Sequence, residues 1–438
     1  MNKFKEILFF VLVITIIPKM AHSQYLMDMV DTTKDVGKGI LGVYKKYDRL
    51  KIGGYIQPQF QMASEKGTKS FEGGDFGSQV SNRYMTRRSR VRIDYINFNV
   101  DKGPGVQIVF QFDANERGFT MRDIWGRIFE NKYKLFSFTT GMFARPFGNE
   151  VNYSSSDRES PERGRMSQIL MKSERDLGAM VTFDARKKLE IKFLNNIKVD
   201  FGLFNGQGIN ATGEFDNTKD LIARVYSKPL RLSKDVQLNL GASLLYGGLL
   251  QNTKYKYQTI LDKGTPTMMV DSSSSNLYSV SPRKYYGLDA QLKIKNHIGF
   301  TEFRAEYVKG KQTGTSGSSE TPTLLLTGTD GFHIRNFDGA YLYFVQHLGS
   351  LKHQLVLKYD WYDPNTEVSG GDIGATGSNL GAANIKYTTL GLGYVNYLTE
   401  NIKMVFYVDK VWNETTQLKG YTTDLSDDIF TFRIQYRF

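Results

Sequence analysis

The chain has 438 residues, a formal net charge of +12 and no cysteine. The missing cysteines exclude disulfides, thiol catalysis and cysteine–metal sites. Mean hydropathy is −0.39, and past the first residues no apolar stretch is long enough for a membrane helix. The class must therefore be read from residue alternation, the signal a transmembrane barrel leaves.

Lys3 and Lys5 open the chain, Ile7 to Ile17 form an apolar run, and Ala21-His22-Ser23 precedes Gln24 as a small-x-small cleavage site. This pattern predicts a signal peptide over residues 1–23. Its removal takes away Lys3, Lys5, Lys19 and Glu6, leaving about +10 of the formal +12. An exported basic chain points to an anionic surface or an anionic solute, not to nucleic acid. Residues 24–50 read as a periplasmic N-terminal segment: either a short helix weakened by Gly37, Gly39 and Gly42, or a flexible lead-in.

From residue 51 onward, period-2 amphipathicity predicts sixteen strands. They fall near 51–62, 86–100, 105–114, 121–129, 134–145, 176–184, 191–205, 219–228, 235–247, 284–295, 299–309, 338–347, 352–362, 385–397, 401–412 and 427–438. In the third, Val106, Ile108, Phe110 and Phe112 alternate with Gln107, Gln111 and Asp113. In the last, Phe430, Phe432, Ile434, Tyr436 and Phe438 oppose Thr431, Arg433, Gln435 and Arg437. Short links such as Asp101–Pro104, Asn296–Ile298 and Leu398–Glu400 alternate with long polar loops such as Ala63–Met85, Pro146–Arg175 and Gly248–Arg283. Only Asn115–Thr120 is short where a long loop is due. The expected fold over 51–438 is all-β: a 16-stranded antiparallel transmembrane β-barrel with short periplasmic turns and long extracellular loops. Such a barrel sits in the outer membrane, against its lipid and lipopolysaccharide. Tyr255, Tyr257, Tyr285, Tyr286, Tyr341 and Tyr343 fall near predicted strand ends, where aromatic girdles belong.

Chemistry is sparse. His297, His333, His347 and His353 lack the close pairing of a metal site, and no nucleophile elbow or phosphate-cradling loop occurs. We expect no enzyme, no metal and no cofactor. The second strand begins Arg87-Arg88-Ser89-Arg90-Val91-Arg92-Ile93-Asp94. Alternation puts Arg88, Arg90, Arg92 and Asp94 on one face, and arginine toward lipid costs ~2–4 kcal/mol at the midplane, so that face is the lumen. The row is either a path for phosphate-like or carboxylate solutes or lumen charge paired with acids across the pore. The loop after the fifth strand, from Arg145 to Arg175, carries six basic and five acidic residues. It is either a filter for anions or a self-neutralising network that holds the loop in place.

The stretch Arg87–Val181 resembles the phosphate-selective porin O and P family, in the divergent form seen in Bacteroidetes-type bacteria. The matching pieces are RRSRVRI (Arg87–Ile93), FQFDAN (Phe110–Asn115), MRDIW (Met121–Trp125), GMFARPFG (Gly141–Gly148), SSSDRES (Ser154–Ser160) and ERDLGAMV (Glu174–Val181). YDWYDPN (Tyr359–Asn365) and the final FRIQYRF also fit. The chain departs from the family at Met142 and Ala144, where Gln and Lys often precede the proline of the fifth strand. The resemblance implies a homotrimer whose arginine path holds Arg88, Arg90 and Arg92. It also implies a constriction holding Arg158, Arg163 and Arg165, for passive diffusion of small anions such as phosphate or polyphosphate. The other function that the sequence allows is a plugged or structural barrel whose long loops bind partners or glycans.

Overall fold

A computed structural model describes residues 49–99, 103–211 and 213–438. The expected signal peptide and residues 24–48 lie outside these.

The alternating segments form one continuous antiparallel ladder of sixteen staves: β1 (Leu50–Ala63), β2 (Asn82–Asn99), β3 (Gly103–Asn115), β4 (Gly118–Phe129), β5 (Phe136–Ala144), β6 (Arg175–Asp184), β7 (Ile197–Phe204), β8 (Asp220–Ser227), β9 (Val236–Leu250), β10 (Val280–Asn296), β11 (Gly299–Gly314), β12 (Phe332–Leu348), β13 (Ser350–Asp363), β14 (Tyr387–Tyr397), β15 (Ile402–Asn413) and β16 (Ile429–Arg437). Each pairs with the next, and β1 closes on β16, with Phe60 opposite Phe432 and Ala63 opposite Ile429. Closure leaves no open edge among the sixteen staves, the condition for a sheet in lipid.

Connections alternate in length as the polar spacing predicted. His297–Ile298 and the single Gly349 link staves at the periplasmic end; Gly349 turns there at φ +68°. Among the described residues, Glu116–Arg117 is the one short external link. The seventh stave begins at Ile197, not at 191, because Lys192–Asn196 wind into a 3₁₀ turn. The long loop between β9 and β10 holds a hairpin that alternation did not flag, Lys256–Asp262 paired with Thr265–Asp271. Lys263 and Gly264, both at positive φ, make its two-residue turn.

Two faces separate along every stave. Leu288, Leu342, Leu357 and Leu392 stand outward and exposed, while their neighbours Asp289, Tyr343, Lys358 and Gly391 face in and are buried. An outward apolar band against a polar interior is the signature of a lipid-embedded barrel. The tyrosines split between these faces. Tyr286 is outward, but Tyr285, Tyr341 and Tyr343 are buried inside the barrel, so they belong to no lipid girdle. Their hydroxyls explain the choice: Tyr341 donates to Glu306 at 3.1 Å, and Tyr343 lies 2.6 Å from Ser160.

Candidate functional site: an inward loop and the lumen arginines

The third external loop (145–174) joins β5 to β6 and turns into the barrel. The Gly148 N–H donates to Ser243 on β9 at 3.0 Å, and the Asn149 and Glu150 N–H groups donate to Glu306 on β11 at 2.9 and 3.0 Å. The Arg165 N–H donates to Asp360 on β13 at 3.1 Å. From β15, Lys403 donates to the Ser156 carbonyl at 2.5 Å; from β16, Gln435 donates to the same oxygen at 3.1 Å; from β1, Gln57 donates to the Ser155 carbonyl at 3.0 Å. Irregular backbone at membrane depth is tolerated where protein satisfies it. These side chains do so. Within the loop, helix α1 (Arg165–Leu170) buries Met166, Ile169 and Leu170 in the cluster that holds Phe143, Phe337 and Tyr362.

Alternation predicted that Arg87 and Arg88 point to opposite faces. The structure brings both inward. Gln57 pairs with Arg88 but Pro58 pairs with Thr86, so Arg87 is the extra residue of a β-bulge. Pro58 has no N–H to give the ladder, and a bulge re-aims the side chain opposite it. Both guanidiniums then grip the Glu162 carboxylate of the inward loop. Arg87 reaches it through Nε at 2.8 Å and Nη2 at 3.2 Å, and Arg88 through Nη1 at 3.0 Å and Nη2 at 2.6 Å. Arg433 on β16 adds Nη2 at 3.1 Å, and Arg158 approaches to 3.9 Å. Burial alone raises a carboxyl pKa, but Arg87, Arg88 and Arg433 outweigh it and hold Glu162 well below the usual carboxylate range.

The rest of the row also faces the lumen, and each arginine has an acid beside it. Arg90 bonds Asp113 at 2.9 Å and donates to the hydroxyls of Tyr55 at 2.8 Å and Ser155 at 2.7 Å. Arg92 pairs with Asp94 at 2.6 Å. The carboxylates come from the neighbouring stave (Asp113), from the same stave (Asp94) and from the inward loop (Glu162).

The three loop arginines separate. Arg158 lies in the Glu162 cluster, with Nη2 donating to the Pro161 carbonyl at 3.2 Å and Nη1 buried without a partner. Arg163 donates to the carbonyls of Glu150 at 2.8 Å and Val151 at 3.0 Å and pairs with Glu174. Arg165 stands apart, its guanidinium between the rings of Phe71 (4.5 Å) and Tyr387 (3.8 Å).

Two of the larger cavities among the described residues are lined by the loop. The outer one, about 920 Å³, is lined by seven basic and six acidic side chains, among them Arg87, Arg88, Glu162, Arg165 and Asp427. The inner one, about 470 Å³, is lined by seven basic side chains, including Arg90, Arg92, Arg122 and Arg175, against the acids Asp94 and Asp157 and beside the last residue, Phe438. Arg163 lines both.

The architecture has clear counterparts among solved structures. Pseudomonas putida OprB aligns with a TM-score of 0.57 at 10% identity, over 96% of this chain and 100% of that one. Salmonella typhi OmpF, in complex with daunomycin, aligns with a TM-score of 0.51 at 11% identity, over 89% and 97%. The fold is that of an outer-membrane porin. Neither a family model nor a curated protein matches the sequence, so the likeness to the phosphate-selective family rests on the motifs alone.

Several residues of this porin-type interior escaped the sequence reading as site residues. Glu162 counted only as one of five loop acids, yet it gathers four arginines. Arg433 was visible as a lumen residue of the last strand, but nothing local tied it to residue 162. Arg304 on β11 grips Glu159 through two bonds of 2.8 Å, fastening the loop to the far wall. Pro58 was the available signal for Arg87.

Proposed function

We propose that this barrel is a passive channel across the outer membrane for small anionic solutes, with phosphate and polyphosphate among the candidates. The observation that carries the reading is the excess of basic over acidic side chains around the inner cavity. Arg88, Arg90 and Arg92 form the path along one wall. Arg158, Arg163 and Arg165 belong to the constriction made by the inward loop. Transport follows the solute gradient, and the lumen guanidiniums raise the local anion concentration. The motifs shared with the phosphate-selective family support phosphate as a solute and a homotrimer as the assembly. The reversal potential in a planar bilayer under a potassium chloride gradient tests the reading. An anion-selective potential is expected; a cation-selective one overturns it.

A specific observation favours a second reading. The inward loop is bonded to β1, β2, β9, β11, β13, β15 and β16, and its Arg163 stands where the two cavities meet. A loop held this firmly suits a plugged barrel whose external loops bind partners or glycans. Such a barrel gives no single-channel steps.

A further inference from the structure

Four guanidiniums converge on one carboxylate. Arg87, Arg88, Arg158 and Arg433 each have Glu162 as an ion-pair partner, at 2.8, 2.6, 3.9 and 3.1 Å. We propose that Glu162 is a tethered occupant of an oxyanion site built by these arginines, and that small di- and tricarboxylates entering from the outer cavity exchange with it. The inference rests on the channel reading only for the route by which the solute arrives.

Three observations carry it. The first is convergence: four guanidiniums share one carboxylate as an ion-pair partner, and a multivalent anion offers them more oxygens than that carboxylate does. The second is an open donor. Arg158 Nη1 is buried with no hydrogen-bond partner, and a buried guanidinium N–H left unpaired is costly. The third is access. Arg87, Arg88 and Glu162 all line the outer cavity, whose 920 Å³ accommodates a small organic acid.

The class of ligand follows from the occupant. Arg87 and Arg88 each present two N–H groups to the two Glu162 oxygens, the fork geometry that arginine offers to carboxylates. Phosphate satisfies the same fork, so it is the natural comparison. Glu162 is held at the end of a short rigid segment. Pro161 precedes it, with its carbonyl accepting from Arg433 at 2.7 Å, and Ser160 Oγ donates to the Glu162 carbonyl at 2.6 Å. The carboxylate can leave while its backbone stays.

Glu162→Gln keeps the shape and removes the competing charge. Two readouts run in parallel on the full barrel: the succinate concentration that halves the chloride current, and the rise in unfolding temperature of the detergent-solubilised protein with succinate. The variant is expected to respond to succinate at about tenfold lower concentration than wild type, because an intramolecular competitor acts at high effective concentration. Adding Arg433→Gln is expected to cancel the gain. An equal gain for succinate and phosphate supports an oxyanion site; a gain for phosphate with none for succinate overturns the carboxylate assignment. An unchanged succinate response in folded Glu162→Gln makes the cluster a structural clamp and overturns the proposal. Should that variant fail to fold, Glu162→Asp, which withdraws the carboxylate by one methylene, carries the same expectation in weaker form, and an unchanged response there is equally fatal. If the wild type proves silent or cation-selective, the channel reading falls, while the unfolding readout still decides the site.

Discussion

Gly148 and Glu306 fit together only because Gly148 has no side chain. The Glu306 carboxylate occupies the space that a Cβ on Gly148 requires, and it accepts the next two backbone N–H groups of the inward loop. Gly148 also turns at φ +63°, a conformation that L side chains rarely adopt. Gly148→Ala is therefore expected to push Glu306 aside and to free the loop from β11. Each lost bond to the carboxylate is worth roughly 1.5–3 kcal/mol. The change should appear as a lower unfolding temperature and larger, noisier single-channel currents. Unaltered currents with unaltered stability would show that this anchor is redundant.

Neutralising the arginine row tests the path. In Arg88→Gln, Arg90→Gln, Arg92→Gln the lumen loses three positive charges while Glu162, Asp113 and Asp94 remain. The anion-to-cation permeability ratio should fall about tenfold, equivalent to ~1.4 kcal/mol. The reversal potential under a chloride gradient measures it, and an unmoved potential removes these residues from selectivity.

Acid should strengthen anion preference at the outer mouth. Burial pushes Asp427 up to about 6, with Asp424 and Asp428 adding to the shift and Arg165 opposing it. As pH falls through 6, Asp427 takes up a proton in the folded protein, where an unfolded chain would wait until ~3.9. Linkage therefore makes its protonation favour folding in this window. The outer cavity loses one of its six acids at the same time. Glu162, held well below the usual range, stays ionised throughout. Reversal potentials at pH 7.5 and 5 should differ in the anion-selective direction, and Asp427→Asn should reduce the difference.

Two ion pairs that look alike in sequence should behave differently. Lys172 reaches Glu320 at 2.5 Å with half its side chain in solvent, whereas Arg304 grips Glu159 bidentately inside the barrel. Exposed pairs contribute ~0–1 kcal/mol, and removing one partner of a buried pair costs ~3–5 kcal/mol. Thermal unfolding of Lys172→Ala should match wild type, and Arg304→Gln should unfold many degrees lower. Equal behaviour would contradict the burial of the Arg304 pair.

What the sequence made legible follows from the range of the forces involved. Lipid outside and charge inside impose a two-residue period on each stave, so Val106–Phe112 or Phe430–Phe438 declares itself within ten residues. The Lys256–Asp271 hairpin lies outside the lipid and carries no such pattern, and it was read as loop. The interior of the site is harder still. Glu162 meets Arg88 across 74 residues and Arg433 across 271. Only the closed barrel sets those distances. The lumen-facing row could be derived from the cost of arginine in lipid, and Asp94 shares its face, but the loop partner Glu162 could not be derived.

The β1–β16 seam joins the first stave to the last, with Arg433 donating to Gln59 across 374 positions at 2.8 Å. Contacts of such separation give folding a high contact order, and chains of this kind fold slowly. Until the nine residues of β16 are in place, both β1 and β15 present open edges to any neighbouring chain. The barrel is thus most prone to aggregate in the interval before its two ends meet, and a chaperone that shields β1 during that interval would protect it where one bound to the finished wall would not.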